Sequence, residues 1–401
     1  MSLPSSRSGV VDGPSADVND LLVDIGLVDH HVHSVVVGPV EPGDFVALVC
    51  ESDRRSAAQA AGLDTQVGIA IRRWCAPLLG LPAGIAGDDY LDYRRGLTNE
   101  AAAARLLPSA GFDALLVDTG YQANRLVATA EFGRLAGAPA HTIVRLEALA
   151  EQVAGSSPTA LGFAAAFESA LAAAARGAVG LKSIIAYRDG LDFDPTPPGL
   201  DEVAAHAGRW LAEIEASGTI RLTDPVLLRH VLWTGARTGL PVQVHAGFGD
   251  TDLDLHRADP LLMTGFLRAT EGVCPVLLLH NYPFHRQAGY LAQMFPHVYL
   301  DVGLAVNYTG VQSRQVIAES LELAPFTKVL FSSDAWGAPE LHLLGSWLFR
   351  RGMARVIGEW VTAGDWTIED ARRSIELIAG GNARRVYGLA AAPFRDPAAS
   401  S

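Results

Sequence analysis

Cysteine is scarce in this chain of 401 residues: there are three, Cys50, Cys75 and Cys274. They are too few and too scattered for a disulfide framework, which points to a reducing, cytoplasmic setting. Cys50 and Cys75 have no His or second Cys at metal-binding spacing and read as buried packing. Long apolar runs are missing too. The longest are cut by Gly, Pro or charge well short of a bilayer span. The N-terminal MSLPSSRSGVVDGPSADVND lacks the apolar core of a secretory signal. Residues 1–20 are therefore expected to be a flexible leader, and 391–401 a flexible tail. Basic residues are in deficit, 31 Lys and Arg against 44 Asp and Glu, for a formal charge of −13. That argues against nucleic acid or an anionic membrane as the partner, since both need a basic face. A small-molecule substrate is expected instead. Hydrophobic residues make up 49% against 19% charged, enough for a large core.

What is present alternates between two textures. Short runs rich in Val, Ile and Leu occur at 27–33, 112–120, 141–148, 178–187, 240–247, 274–283, 297–305 and 328–336. Several are almost continuously apolar, as expected of parallel strands covered on both faces. Between them lie Ala- and Leu-rich stretches of helical texture, such as 162–177, 201–218 and 224–239, each ending at or near Gly. Eight such units predict an α/β fold, a (β/α)₈ TIM barrel over residues 21–390. A doubly wound open sheet is the alternative. The first crossover is unusually long. Its helical texture predicts an insertion over about 38–110 at one end of the barrel. The stretch from Pro339 to Gly388 is expected to be helical.

The chemistry-bearing residues fall at strand ends. His31 and His33 close the first strand, and residues i and i+2 point to the same side, so both imidazoles can reach one metal ion. Alternation puts Asp29 on that side one layer down and turns His30 away. Lys182 lies inside the fourth strand, where an unpaired charge is costly. His245 ends the fifth strand and His280 the sixth; Asp334 follows the eighth. Singly, these read as core histidines, a helix N-cap and a snorkelling lysine. A barrel, however, gathers its strand ends on one rim, where active sites lie. Imidazole and carboxylate together suit a divalent ion of the zinc class.

This set resembles the amidohydrolase superfamily over roughly residues 24–388. The segments HAGFGDTDLDL (245–255), LLHNYPFHRQAGYLA (278–292), YLDVGLA (299–305) and FSSDAW (331–336) look like its amidohydrolase-2 branch. Within that branch they are most similar to the amidohydrolase domain of FluG and nodulin/glutamine-synthetase-like proteins. The resemblance implies one metal ion on His31, His33, His245 and Asp334 with a catalytic His280. Alternatively it implies two ions bridged by a carbamylated Lys182, with His280 as a further ligand. It also suggests a homo-oligomer.

Tyr187 and Arg188 follow the fourth strand and Asn281 and Tyr282 the sixth, with Trp336 beside Asp334; these are expected near the rim. Arg188 suits a substrate carboxylate, or else a salt bridge to Asp189 or Asp250. Asp250, Asp252 and Arg257 follow the fifth strand. The insertion offers Glu51, Arg72, Arg73, Trp74 and Tyr93 as lid contacts or as solvated helix faces. The expected function is hydrolysis of an amide C–N bond in a small carboxylate-bearing substrate such as a γ-glutamyl amide, with Asp334 and His280 catalytic. Metal-dependent decarboxylation and a non-catalytic scaffold are the alternatives.

Overall fold

The computed structural model describes residues 16–390. Seven parallel strands run in sequential order, β1 Leu27–Val32, β2 Phe112–Asp118, β3 Ala140–Arg145, β4 Ala178–Ser183, β5 Val242–Ala246, β6 Val276–His280 and β7 Val298–Leu300. The order never reverses, which rules out a doubly wound sheet. The expected eighth strand, 328–336, is not a regular strand. Its extended backbone nevertheless bridges the two edges. The Leu330 amide donates to Leu300 of β7 at 2.9 Å, and the His30 amide of β1 donates to Phe331 at 3.2 Å. The Asp334 amide donates to His31 at 3.1 Å. The ring thus closes as a barrel, but Asp334 adopts φ 48°, outside strand geometry, and cuts the ladder short.

Two apolar layers flank the strands. Inside, Val28, Ala114, Leu116, Ile143, Leu277, Leu279 and Leu330 fill the barrel, with Tyr387 inserted among them. Outside, Leu115, Val117, Leu181, Val242, Val244, Leu278 and Leu300 face the helices. Burial on both faces explains the continuous apolar runs.

β1 departs from simple alternation. Asp29 pairs with Leu115 and Val32 with Val117, so β1 holds one more residue than β2 over that interval. This bulge turns both His30 and His31 inward. Asp29 is turned outward and accepts hydrogen bonds from Ser333 N at 3.0 Å and Ser333 Oγ at 2.5 Å. The expectation that Asp29 shares the side of His31 while His30 faces away is therefore corrected.

Between β1 and β2 the chain forms short helices, among them Pro42–Leu48, Gly87–Arg95 and Asn99–Leu106. Their Phe45, Tyr90 and Leu106 join the same core as Leu341 and Leu344 of the helix Pro339–Ala363. A buried ion pair fastens them: Arg94 Nε donates to Glu340 at 2.6 Å and Tyr90 Oη donates to the same carboxylate at 2.9 Å.

The leader expectation changes in part. Ala16–Asp24 is a helix with Val18 and Leu22 buried, while residues 1–15 and the tail 391–401 lie outside the described residues. Several strands end earlier than their apolar runs, β7 among them, whose run enters the helix Gly303–Thr309. Leu146 already begins the helix Leu146–Gly155, and Tyr187 and Arg188 sit on a helical turn, Ile185–Arg188. No helix among the described residues is long and apolar enough to cross a membrane.

Candidate metal centre

Five of the expected residues meet at the C-terminal rim. His31 Nε2 lies 3.0 Å and His33 Nε2 3.6 Å from Asp334 Oδ1, and His280 Nε2 lies 3.4 Å from Asp334 Oδ2. The His245 ring centroid is 4.5 Å from that of His280. Lys182 is almost fully buried and lines the same cavity, of about 400 Å³, as these side chains.

The hydrogen bonds behind the ligands decide which nitrogen is free. The Gln243 amide nitrogen donates to the His30 carbonyl at 2.6 Å and to Tyr387 Oη at 2.8 Å. Its oxygen must then accept from His31 Nδ1, 2.8 Å away. His33 Nδ1 faces the Asp118 carbonyl at 3.2 Å, and a carbonyl can only accept. Both rings therefore carry their proton on Nδ1 and turn a bare Nε2 lone pair toward the Asp334 carboxylate. Burial pushes His31, His33, His245 and His280 well below the usual imidazole range, to about 4 for His33, so a proton is a poor glue here. A divalent cation resolves the conflict. In addition, His245 Nε2 and His280 Nδ1 are buried with no hydrogen-bond partner among the described residues. The donor set fits a metal of the zinc class.

Electrostatics and backbone support the arrangement. Burial raises Asp334 above the usual carboxylate range, against the pull of His33 and Lys182. Burial likewise lowers Lys182, opposed by Asp334. Asp118 is buried too, yet the Arg145 guanidinium, 2.6 Å away, holds it well below the ordinary value. His280 and Asp334 sit at φ 66° and 48°, left-handed conformations that cost on the order of 1–3 kcal/mol in non-glycine residues. Asp301 steadies the first of these, accepting from the His280 amide at 3.0 Å and from His30 Nε2 at 2.9 Å.

The substrate residues sort unevenly. Tyr187, Arg188 and Trp336 line the cavity, as do Glu51, Asp250 and Asp252. Arg188 pairs with Glu151 at 3.3 Å rather than with Asp189 or Asp250. Asn281 does not line the cavity: its amide donates to Leu278 O and Asp301 O at 2.7 and 2.9 Å and buttresses the turn after His280. Arg257 pairs with Asp192 at 2.7 Å, outside the lining. Arg72, Arg73, Trp74 and Tyr93 are outside it as well, and Cys75 is buried, whereas Cys50 reaches the cavity wall.

Gln243, Asp118 and Asp301 were missed by sequence reasoning. Each lies within or at the end of a strand, in the same pattern that marked the histidines.

The amidohydrolase family profile (Amidohydro_2) matches residues 28–389. Protein fluG of Emericella nidulans is 34% identical over 221 residues, 53% of this chain and 26% of fluG. The match thus spans about a quarter of that relative. A structure from Lactobacillus casei, described as a metal-dependent hydrolase, superposes with a TM-score of 0.80 at 27% identity, covering 93% of this chain and 97% of that one. The uronate isomerase of Bacillus halodurans shares the fold, with a TM-score of 0.60 at 14% identity, covering 93% of this chain and 96% of its own.

Proposed function

Because the chain belongs to the amidohydrolase family, we propose that it is a metal-dependent hydrolase that adds water across an amide C–N bond. Its substrate is small and carries a carboxylate, as a γ-glutamyl amide does. The observation that carries this reading is the pair of bare imidazole nitrogens turned on Asp334 at an open cavity. His31, His33, His245 and Asp334 would hold a zinc-class ion, which when bound would supply a water acidified to a pKa of about 7 and a Lewis acid for the carbonyl.

The chain's own groups do the rest. Asp334 takes a proton from the attacking water and passes it to the departing amine. His280 offers a ring N–H to the oxyanion. Arg188, with Nε and Nη1 unpartnered among the described residues, takes the substrate carboxylate. Trp336, whose buried Nε1 has no partner among the described residues, offers a donor from the cavity wall beside Tyr121. Burial favours the neutral amine of Lys182, the form that reacts with CO₂, so a carbamylated Lys182 is the bridge if two ions bind. The enzyme is expected to work in the cytoplasm as a homo-oligomer.

The test begins with elemental analysis of protein purified without chelator or metal-binding tag. About two ions per chain support a Lys182 bridge; about one supports the mononuclear set with His280 catalytic. The loaded protein is then given small amides and carboxylic acids, and amine and CO₂ release are followed. Amine release supports the reading; CO₂ release without amine overturns it.

A further inference from the structure

Away from the metal centre, the surface carries a cluster of arginines whose charge is largely unmatched. Arg351 and Arg355 stand one turn apart on the helix Pro339–Ala363, where like charges four residues apart repel. Arg73, from the insertion, joins them: its Cζ lies 4.8 Å and that of Arg351 4.5 Å from the centre of the Trp74 ring. Arg314 is nearby and pairs with Glu359. Arg73, Arg351 and Arg355 are exposed and have no ion-pair partner among the described residues. The chain has 13 more acidic than basic residues, so the lack of carboxylates here is local. Partial burial, then Arg355 and Arg73, lowers Arg351 below the usual guanidinium range.

These arginines surround a concavity. A cleft of about 70 Å³ is lined by Trp74, Arg314, Arg351 and Arg355, with Gly310 and Ser313 between them and no carboxylate among the described residues. At about 30 Å³ per water in the liquid, that space takes a small ion rather than an extended ligand. None of these residues lines the metal-bearing cavity. The Trp74 ring steadies two of the guanidiniums by cation–π contact, which uses none of their N–H donors. Three planar forks in one place offer more donors than the two oxygens of a carboxylate accept; a tetrahedral oxyanion matches them better.

We propose that this cleft binds a phosphate dianion, free or as a monoester, held by Arg73, Arg351 and Arg355 through charge-assisted hydrogen bonds. Three parts of the chain meet there: Arg73 and Trp74 of the insertion, residues 310–314, and the long helix. The first two already touch, the Val311 amide donating to Gln66 Oε1 at 3.4 Å. The anion clasps the insertion to the barrel, and the site stands whether or not the chain hydrolyses amides.

The test is calorimetric titration of the zinc-loaded full chain with inorganic phosphate, at ionic strength held constant with sodium chloride. One site with a Kd at or below about 1 mM is expected. Arg351→Ala and Arg355→Ala should each weaken it at least about tenfold. Arg286→Ala, which removes the same charge from an exposed pair with Glu322, should leave it unchanged. Phosphate should also raise the melting temperature of the wild type and not that of Arg351→Ala, with circular dichroism confirming that each variant is folded. Methyl phosphate binding as well as phosphate supports the site and assigns it to an ester; phosphate alone binding supports it and assigns it to the free ion. Four results overturn the proposal. They are no saturation at about 10 mM phosphate, acetate binding as tightly as phosphate, an equal loss in Arg286→Ala, and binding that survives both cleft substitutions, which would place the phosphate on the zinc.

Discussion

Replacing Gln243 by leucine should separate what this residue does for the fold from what it does for the metal. Gln243 is fully buried, and its carboxamide serves three groups: the His31 ring, the His30 carbonyl and the Tyr387 hydroxyl. Leucine fills similar space but takes this partner from the His31 ring and the His30 carbonyl, while Tyr387 Oη keeps His30 Nδ1 at 3.0 Å. At about 1 kcal/mol or more for each of the two, the metal-free protein should lose roughly 2 kcal/mol or more in urea unfolding. The His31 ring also loses the partner that fixes its proton on Nδ1. Zinc affinity, measured by competition with a chelator, should fall about 10–100-fold. Gln243→Glu is the contrast. It keeps an acceptor for His31 Nδ1 but loses both donations, so affinity should hold while stability falls. Unchanged zinc affinity in Gln243→Leu, despite the stability loss, would refute the claim that Gln243 aims Nε2 of His31 at the ion.

Asp334→Asn should lower amide turnover by about 10²–10⁴-fold. It should leave the melting of the chelator-treated protein unchanged or raised, because it relieves the clash of acceptors with His31 and His33; paired activity and circular dichroism assays check both. Gly249→Ala should disturb substrate binding, since a Cβ there would lie 2.1 Å from Tyr187 Oη and 3.2 Å from His245 Nε2. We expect a loss of about 1–3 kcal/mol in stability and a raised KM, and a wild-type KM would argue against Tyr187 as a wall residue. Glu340→Ala strands the Arg94 guanidinium in the core, so urea unfolding should show a cost of about 3–5 kcal/mol with zinc affinity retained.

The strands and the His-x-His pair could be read from the sequence because apolar burial on two faces leaves a continuous hydrophobic signature, and a charge or imidazole inside it stands out. The bulge in β1 could not. It depends on how β1 registers against β2, so Asp29 looked like a companion of His31 when it belongs to Ser333. The closing segment 328–336 could be read as an eighth strand, but its irregularity could not, for a related reason: its Ser332-Ser333-Asp334 stretch joins the ring through isolated hydrogen bonds rather than a ladder. Asn281 looked like a rim residue by position, yet a left-handed turn at φ 60° folds its amide back onto the main chain. Glu51 was visible only as one of several polar residues in a helical stretch. Nothing local distinguishes it from Arg73 or Tyr93; only the folded chain brings Glu51 to the cavity wall and leaves those two outside it.

The segment carrying Asp334 is also the stave that completes the barrel, and it is the one stave without a ladder. His31 on β1 and His33 just past its end stand across that seam, and His280 stands beyond β7 on its other side. A ligand gripping all of them acts as a rivet, and whatever free energy it gains on binding opposes the opening of the ring by the same amount. Metal occupancy should then be read most sensitively far from any chemistry, in the hydrogen-exchange protection of the Leu330 and Asp334 amides, which slow together when the ring is clamped.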